Sequence, residues 1–170
     1  MIAYVPVYCS STKQPVCFNT PGADAVTYSD NNAYWVCNMV SNMVYPRYCL
    51  MFPALKAVRD SLERSYFAAQ SGVEAHAAEL LKTDPEAAKV YLNDYTVSVA
   101  GNMMKTWKAL RTYLVVKYND MSVKPDKNGQ FLRTPEGIGA TVERPGYPEK
   151  YARKYVKETG DKYLYPEEKK

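Results

Sequence analysis

Residues 2 to 9 carry Ile2, Tyr4, Val5, Val7 and Tyr8, β-branched or aromatic types that favour a pleated strand, with Pro6 confining it to an edge or a bulge. The turn chemistry of "SSTKQP" follows, Val16 to Phe18 are expected to return as a partner strand, and "NTPGAD" closes the region. Residues 1–28 therefore read as a small β-hairpin. From Ser29 the period of apolar positions changes from two to about 3.6. Asp30 or Asn31 is placed to cap the first turn. The run "AYWVCNMVSNMVYPRYCLM" is apolar on nearly every face, as in a helix buried on most sides. Pro46 and Pro53 predict a kink near Tyr45 and a fresh helix start near Met51 to Pro53.

A second helix is marked by Leu55, Val58, Leu62, Tyr66, Ala69, Val73, His76 and Leu80, which step by three or four while charged residues fall elsewhere. "KTDPEAA" supplies a stop and a start, with Thr83 or Asp84 as cap and Pro85 in the first turn. Residues 85 to 92 form one helical piece. Asn93 and Asp94 offer an interruption, and Thr96 recaps a long helix to Tyr118 with the stripe Val97, Ala100, Met104, Trp107, Leu110 and Leu114. Two stripes joined by so short a turn predict an antiparallel αα-hairpin, with Gly101 allowing close approach. Residues 29–120 thus form a helical bundle. Residues 121–170 form a wrapping loop, a short helix from Pro148 to Gly160, and a tail pinned by Tyr163, Leu164 and Tyr165. The expected fold class is mainly α: long antiparallel helices with a small N-terminal β-hairpin.

Charge changes this picture in one place. Residues 1 to 55 hold only Lys13, Asp24, Asp30 and Arg47, although 24% of the chain is charged. The same window contains Tyr4, Tyr8, Phe18, Tyr28, Tyr34, Trp35, Tyr45, Tyr48 and Phe52. A contiguous apolar surface of this kind is a core or an interface, so something should cover it. The net charge of +4 is spread without a like-charge run, which argues against nucleic acid as a partner. No window has the length and apolarity of a membrane span, and no signal-peptide pattern opens the chain; a longer parent's own N-terminus is free to carry one, so cytoplasmic and exported locations both stay open.

Candidate chemistry is sparse. His76 is the only histidine, it is flanked by Ala75, Ala77 and Ala78, and it reads as structural. Cys9, Cys17, Cys37 and Cys49 have none of the spacings of a zinc or redox motif. Cys9 and Cys17 face each other across the expected hairpin, either bridged or as buried free thiols. Cys37 and Cys49 read as small core residues. Asp60 with Glu63 and Glu158 with Asp161 lie on solvated faces. Gly137 to Gly139 lack the strand-to-helix setting of a dinucleotide turn. Lys105, Lys108, Arg111 and Lys117 form a solvated basic helix side. No catalytic, cofactor-binding or metal-binding residue is assigned, and no cofactor is called for.

The phrases "YVPVYC", "PVCF", "AYWVCNMVSNMVYPRY", "DPEAAKVYLNDYTVSVAGNMMKTWKALRTYLVVKY", "FLRTPEG" and "RPGYPE", in this order, resemble the C-terminal portion of the N-terminal-nucleophile cysteine dipeptidases of the dipeptidase A type. The resemblance implies a longer parent with an αββα core, in which residues 1–28 are a remnant of the hydrolase sheet. It implies a mature N-terminal cysteine as nucleophile, its α-amino group as base, a dipeptide substrate, and no metal. Here Met1 is followed by Ile2, and no internal cysteine has the nucleophile's surroundings, so no catalytic role is carried onto Cys9 or Cys17. Asn38 and Asn42 match polar positions on a buried helix, with a core hydrogen-bonding role expected. The chain is accordingly read as an inactive C-terminal fragment whose partner is the missing N-terminal part of the parent or a second copy of itself. The alternatives are a stand-alone helical scaffold that oligomerises through its apolar N-terminal third, or a degraded or miscalled gene product without a separate role.

Overall fold

A computed structural model describes residues 2–8, 14–19 and 24–163. The chain divides into two units, residues 1–116 and 117–170. The described residues are mainly helical, as the periodicity implied.

In the first unit, α1 spans Ala33–Val44. Asn32, rather than Asp30 or Asn31, is its cap: extended at φ −108° and ψ 131°, it accepts the Tyr34 N–H at 2.8 Å. Ala33, Val36, Cys37, Val40, Ser41 and Val44 form one buried stripe, whereas Tyr34, Met39 and Asn42 are exposed. The expected burial of this helix on most sides is therefore corrected to a single face. A 3-10 turn at Tyr45–Arg47 follows, and α2 runs from Tyr48 to Thr83. The break falls at Pro46 as expected, but α2 starts before Pro53 and includes it. So near the helix start, proline deprives only the Cys49 carbonyl of its helical partner, and Cys49 is exposed to water.

The buried residues of α2 are Met51, Leu55, Leu62, Tyr66, Val73 and Ala77. Their spacing alternates four and seven, an 11-residue repeat close to the natural pitch of the helix. Ala69, expected on the stripe, falls inside the seven-residue step from Tyr66 to Val73, and the seam then steps by four to Ala77 instead of by three to His76, so both are exposed. Asp84 ends α2 and caps α3, Pro85–Tyr118: its N–H donates to Leu80 O at 2.7 Å and its carboxylate accepts the Ala87 N–H at 3.0 Å. Pro85 takes the first position of α3, where no donor is needed.

α3 passes through Asn93 and Asp94 without interruption. Asn93 and Thr96 are buried inside it, so Thr96 recaps nothing. Val99, Ala100, Met103, Trp107, Leu110 and Leu114 form its seam, and Val97, expected there, is exposed. The Tyr66 hydroxyl donates to Val99 O at 2.9 Å, and the rings of His76 and Tyr91 meet edge-on at 4.7 Å. Moving up α2 thus moves down α3, the antiparallel hairpin that the short turn predicted. Gly101 is exposed with open space where a Cβ would stand, so it serves no close approach.

The N-terminal hairpin is not what forms among the described residues. Residues 2–8 are neither helix nor strand and lie as a strap on the helical hairpin. The Tyr4 N–H donates to Glu63 Oε1 at 2.9 Å, the Tyr4 ring stacks on Phe67 at 5.0 Å, and Tyr8 meets Tyr95 at 6.2 Å. Ala3 and Pro6 are buried while Ile2, Tyr4 and Val7 are exposed. Val16–Phe18 form a 3-10 turn rather than a strand: Phe18 N bonds Pro15 O at 2.9 Å and Asn19 N bonds Val16 O at 3.1 Å. The i→i+3 bonds curl the chain too tightly for these three residues to lie extended in a ladder. Residues 9–13, Cys9 among them, lie outside the described residues.

In the second unit, β1, Asp126–Lys127, pairs antiparallel with β2, Gln130–Phe131. Asn128 and Gly129, at φ 53° and 78°, make the two-residue turn. The Asp126 carboxylate accepts the Gly129 N–H at 3.2 Å and pairs with Lys117. The sequence reading placed only loop here; the Asn-Gly dipeptide was the signal it passed over. α4, Glu149–Thr159, follows Pro148 and ends at Gly160, φ 53°, with none of its residues buried. Leu164 and Tyr165, expected to pin the tail, lie outside the described residues.

Two stability outcomes follow. Tyr66→Phe removes the bond to Val99 O and should cost about 1 kcal/mol in urea unfolding. Gly101→Ala adds a methyl into open space on an exposed helix face and should raise stability by about 0.5–1 kcal/mol in the same measurement.

Candidate functional site

Two grooves are candidates. The first, of about 430 Å³, lies where the strap and the 3-10 turn meet α1. Ile2 comes from the strap, Cys17 and Phe18 from the turn, and Asn32, Ala33, Tyr34, Cys37, Asn38 and Ser41 from α1. The local sequence builds it directly. Asn32 caps α1 with its carbonyl oxygen and donates its amide nitrogen to Asn19 O at 3.3 Å, tying the end of the turn to the start of the helix. Ser41 satisfies its buried hydroxyl by donating to Cys37 O at 2.9 Å.

Burial governs the thiols of this groove. It pushes Cys37 up to about 11 and raises Cys17 as well. Both are therefore protonated at neutral pH and are poor nucleophiles there. His76 is exposed on α2 against Tyr91 and does not line the groove. A general base beside either thiol is thus not supplied by the chain's only histidine. Cys49, expected in the core, is exposed. It lies in the first turn of α2, just after the break at Pro46.

The second groove, of about 420 Å³, separates α2 from α3 and is lined by Val58, Asn102, Lys105, Thr106, Ala109, Leu110 and Tyr113. It holds one cation and a few neutral polar groups. Beside α1, Asp30 receives a two-pronged bond from Arg111 at 2.5 and 3.0 Å, and Tyr28 joins the pair. Arg111 and then the Tyr28 hydroxyl hold the Asp30 carboxyl well below the usual carboxylate range. Arg111 was expected on a solvated basic side; its side chain is instead only 19% exposed, because α1 brings Asp30 to it.

Residues 1–61 match the model of Peptidase family C69. The C69 region comprises the strap, the 3-10 turn, α1 and the first part of α2, and so contains every residue of the first groove. Neither the comparison with curated proteins nor that with solved structures gave a match. The family resemblance read in the sequence is supported over this region, and the chemistry it points to is that of a peptidase.

Other candidates fall as follows. Asn38 lines the first groove, but Asn42 is exposed on α1, so its expected core role is corrected; Ser41, one residue earlier, is on the buried stripe. Asp60 is held below its ordinary range by Lys56 and then Arg59, and Glu63 accepts the Tyr4 N–H with Arg59 nearby at 4.0 Å. Glu63 anchors the strap, and Asp60 pairs with Lys56 and Arg59 on its own helix. Glu63 is the residue whose role the sequence did not disclose, since its partner is 59 positions away. Gly137 sits in a turn at φ 81°, closed by Thr134 N to Ile138 O at 2.7 Å, as a loop should. The Asp161 side chain lies outside the described residues.

A folded pKa depressed for Asp30 gives stability that is complete above the unfolded value and is lost as pH falls through the folded one. Asp30→Asn should therefore cost about 1 kcal/mol at neutral pH, the upper end for a pair with one partner half in water. Unfolding curves of wild type and variant should converge between about pH 4 and pH 2.

Proposed function

We propose that this chain is the C-terminal portion of a cysteine-type dipeptidase whose N-terminal cysteine nucleophile, with its α-amino group as base, belongs to polypeptide outside it. The observation that carries this reading is the family match over residues 1–61. In that reading the strap is a strand of the αββα core. Its outward residues Ile2, Tyr4 and Val7 pack under the remaining sheet, and residues 29–120 form the helical support behind it. The protonated state of Cys17 and Cys37 accords with a nucleophile located elsewhere. The helices supply position rather than chemistry: a seam of close-packed apolar side chains holds the sheet-facing elements rigid.

The chain alone should show no turnover of simple dipeptides, while the parent carrying the cysteine-first sequence should hydrolyse them. Hydrolysis by this chain at a rate comparable to the parent's overturns the reading.

A second reading is favoured by the exposed apolar residues of the first third, among them Tyr34 at 45% and Met39 at 37% on the outer face of α1. There the chain is a helical scaffold that pairs with itself through this face. Sedimentation velocity across micromolar concentrations distinguishes the two: a concentration-dependent dimer supports self-association, and a monomer that binds no hydrophobic dye counts against it. Among the described residues no helix is long and apolar enough to cross a membrane.

A further inference from the structure

We propose that Cys17 and Cys37 form an oxidisable dithiol site, which a hydroperoxide converts to a disulfide fastening the Val16–Phe18 turn to α1. The two cysteines line one wall of the same groove, one from the turn and one from the helix. The turn is held against the helix start by the Asn32 bond to Asn19 O. Burial first, and then the charge of a Cys17 thiolate, raise the Cys37 thiol. Cys49 is exposed on α2 and lines no part of this groove.

Accessibility sets the order of events. Cys17 is half-buried and is reached first; its thiolate attacks the peroxide oxygen, the O–O bond breaks, and Cys17 sulfenic acid and water form. The sulfur of Cys37, which is 8% exposed and shielded from external oxidant, then attacks the Cys17 sulfur. The S–O bond breaks and the hydroxide leaves as water with the Cys37 proton. Two thiols and one hydroperoxide thus yield one disulfide and two molecules of water (or one water and one alcohol from an alkyl hydroperoxide). Because both thiols are protonated at neutral pH, the reaction accelerates as pH rises.

The sequence makes the test direct. Trypsin cuts after Lys13 and Arg47, so Cys17 and Cys37 share the peptide 14–47, whereas Cys9 and Cys49 fall in its neighbours. The whole chain, folded, is treated with hydrogen peroxide, alkylated and digested without reduction. Peptide 14–47 is expected to be lighter by two hydrogens and unalkylated, with a melting temperature for the oxidised protein several degrees above that of the reduced one. Cys37→Ser should instead hold Cys17 as a sulfenic acid trapped by dimedone. Cys17→Ser, a change at a half-buried position, should leave Cys37 reduced. A link between peptides 1–13 and 14–47, or a 14–47 peptide still alkylated at both cysteines after Cys49 has oxidised, overturns the proposal. So does a Cys17→Ser protein in which Cys37 oxidises at the wild-type rate.

Discussion

The antiparallel seam between α2 and α3 is the constraint on which the other contacts rest. Its α2 side repeats every 11 residues, so the buried face keeps one direction from Met51 to Ala77. Leu55, Met103, Trp107 and Leu114 are wholly removed from water along or beside it. With the two helices fixed in register by the Asp84 turn, Arg111 is presented to Asp30 and Glu63 to the Tyr4 amide. α1 and the strap are thereby positioned by charges and amides that the hairpin already holds in place.

How much of this could be read from the chain depended on the range of the interaction responsible. The αα-hairpin, the Asp84–Pro85 turn and the single α4 were legible because helix periodicity, a cap and a proline are signals spread over a few residues. The N-terminal region was not. Ile2 to Tyr8 has strand composition, but composition reports a side chain's fitness for a pleated surface and cannot report whether a neighbouring strand is at hand. Val16 to Phe18, with Pro15 before it, closes on itself instead. The expected stripes miss at Ala69, His76 and Val97 because steps of three and of four are equally helical, and only the facing surface decides which residue lands on the seam.

The groove was legible only in part. Cys17 and Cys37 are 20 positions apart, and their convergence follows from Asn32 reaching back to Asn19, a contact that no spacing rule anticipates. Their chemistry is equally a matter of surroundings. The same thiol is a ready nucleophile beside a cation and a slow one at neutral pH when desolvated, and here desolvation dominates at both positions. The match to the C69 family model covers this region and assigns no reacting atom within it.

The strap has a consequence for the order in which the protein assembles. The contacts of α2 with α3 close a short loop, whereas Tyr4 must find Glu63 across 59 residues, at a greater loss of chain freedom. The hairpin is thus the early-forming nucleus and the strap the last piece to dock. It is also the first to peel away, so amide exchange and proteolytic nicking begin at the N-terminal edge while the helical seam is still intact.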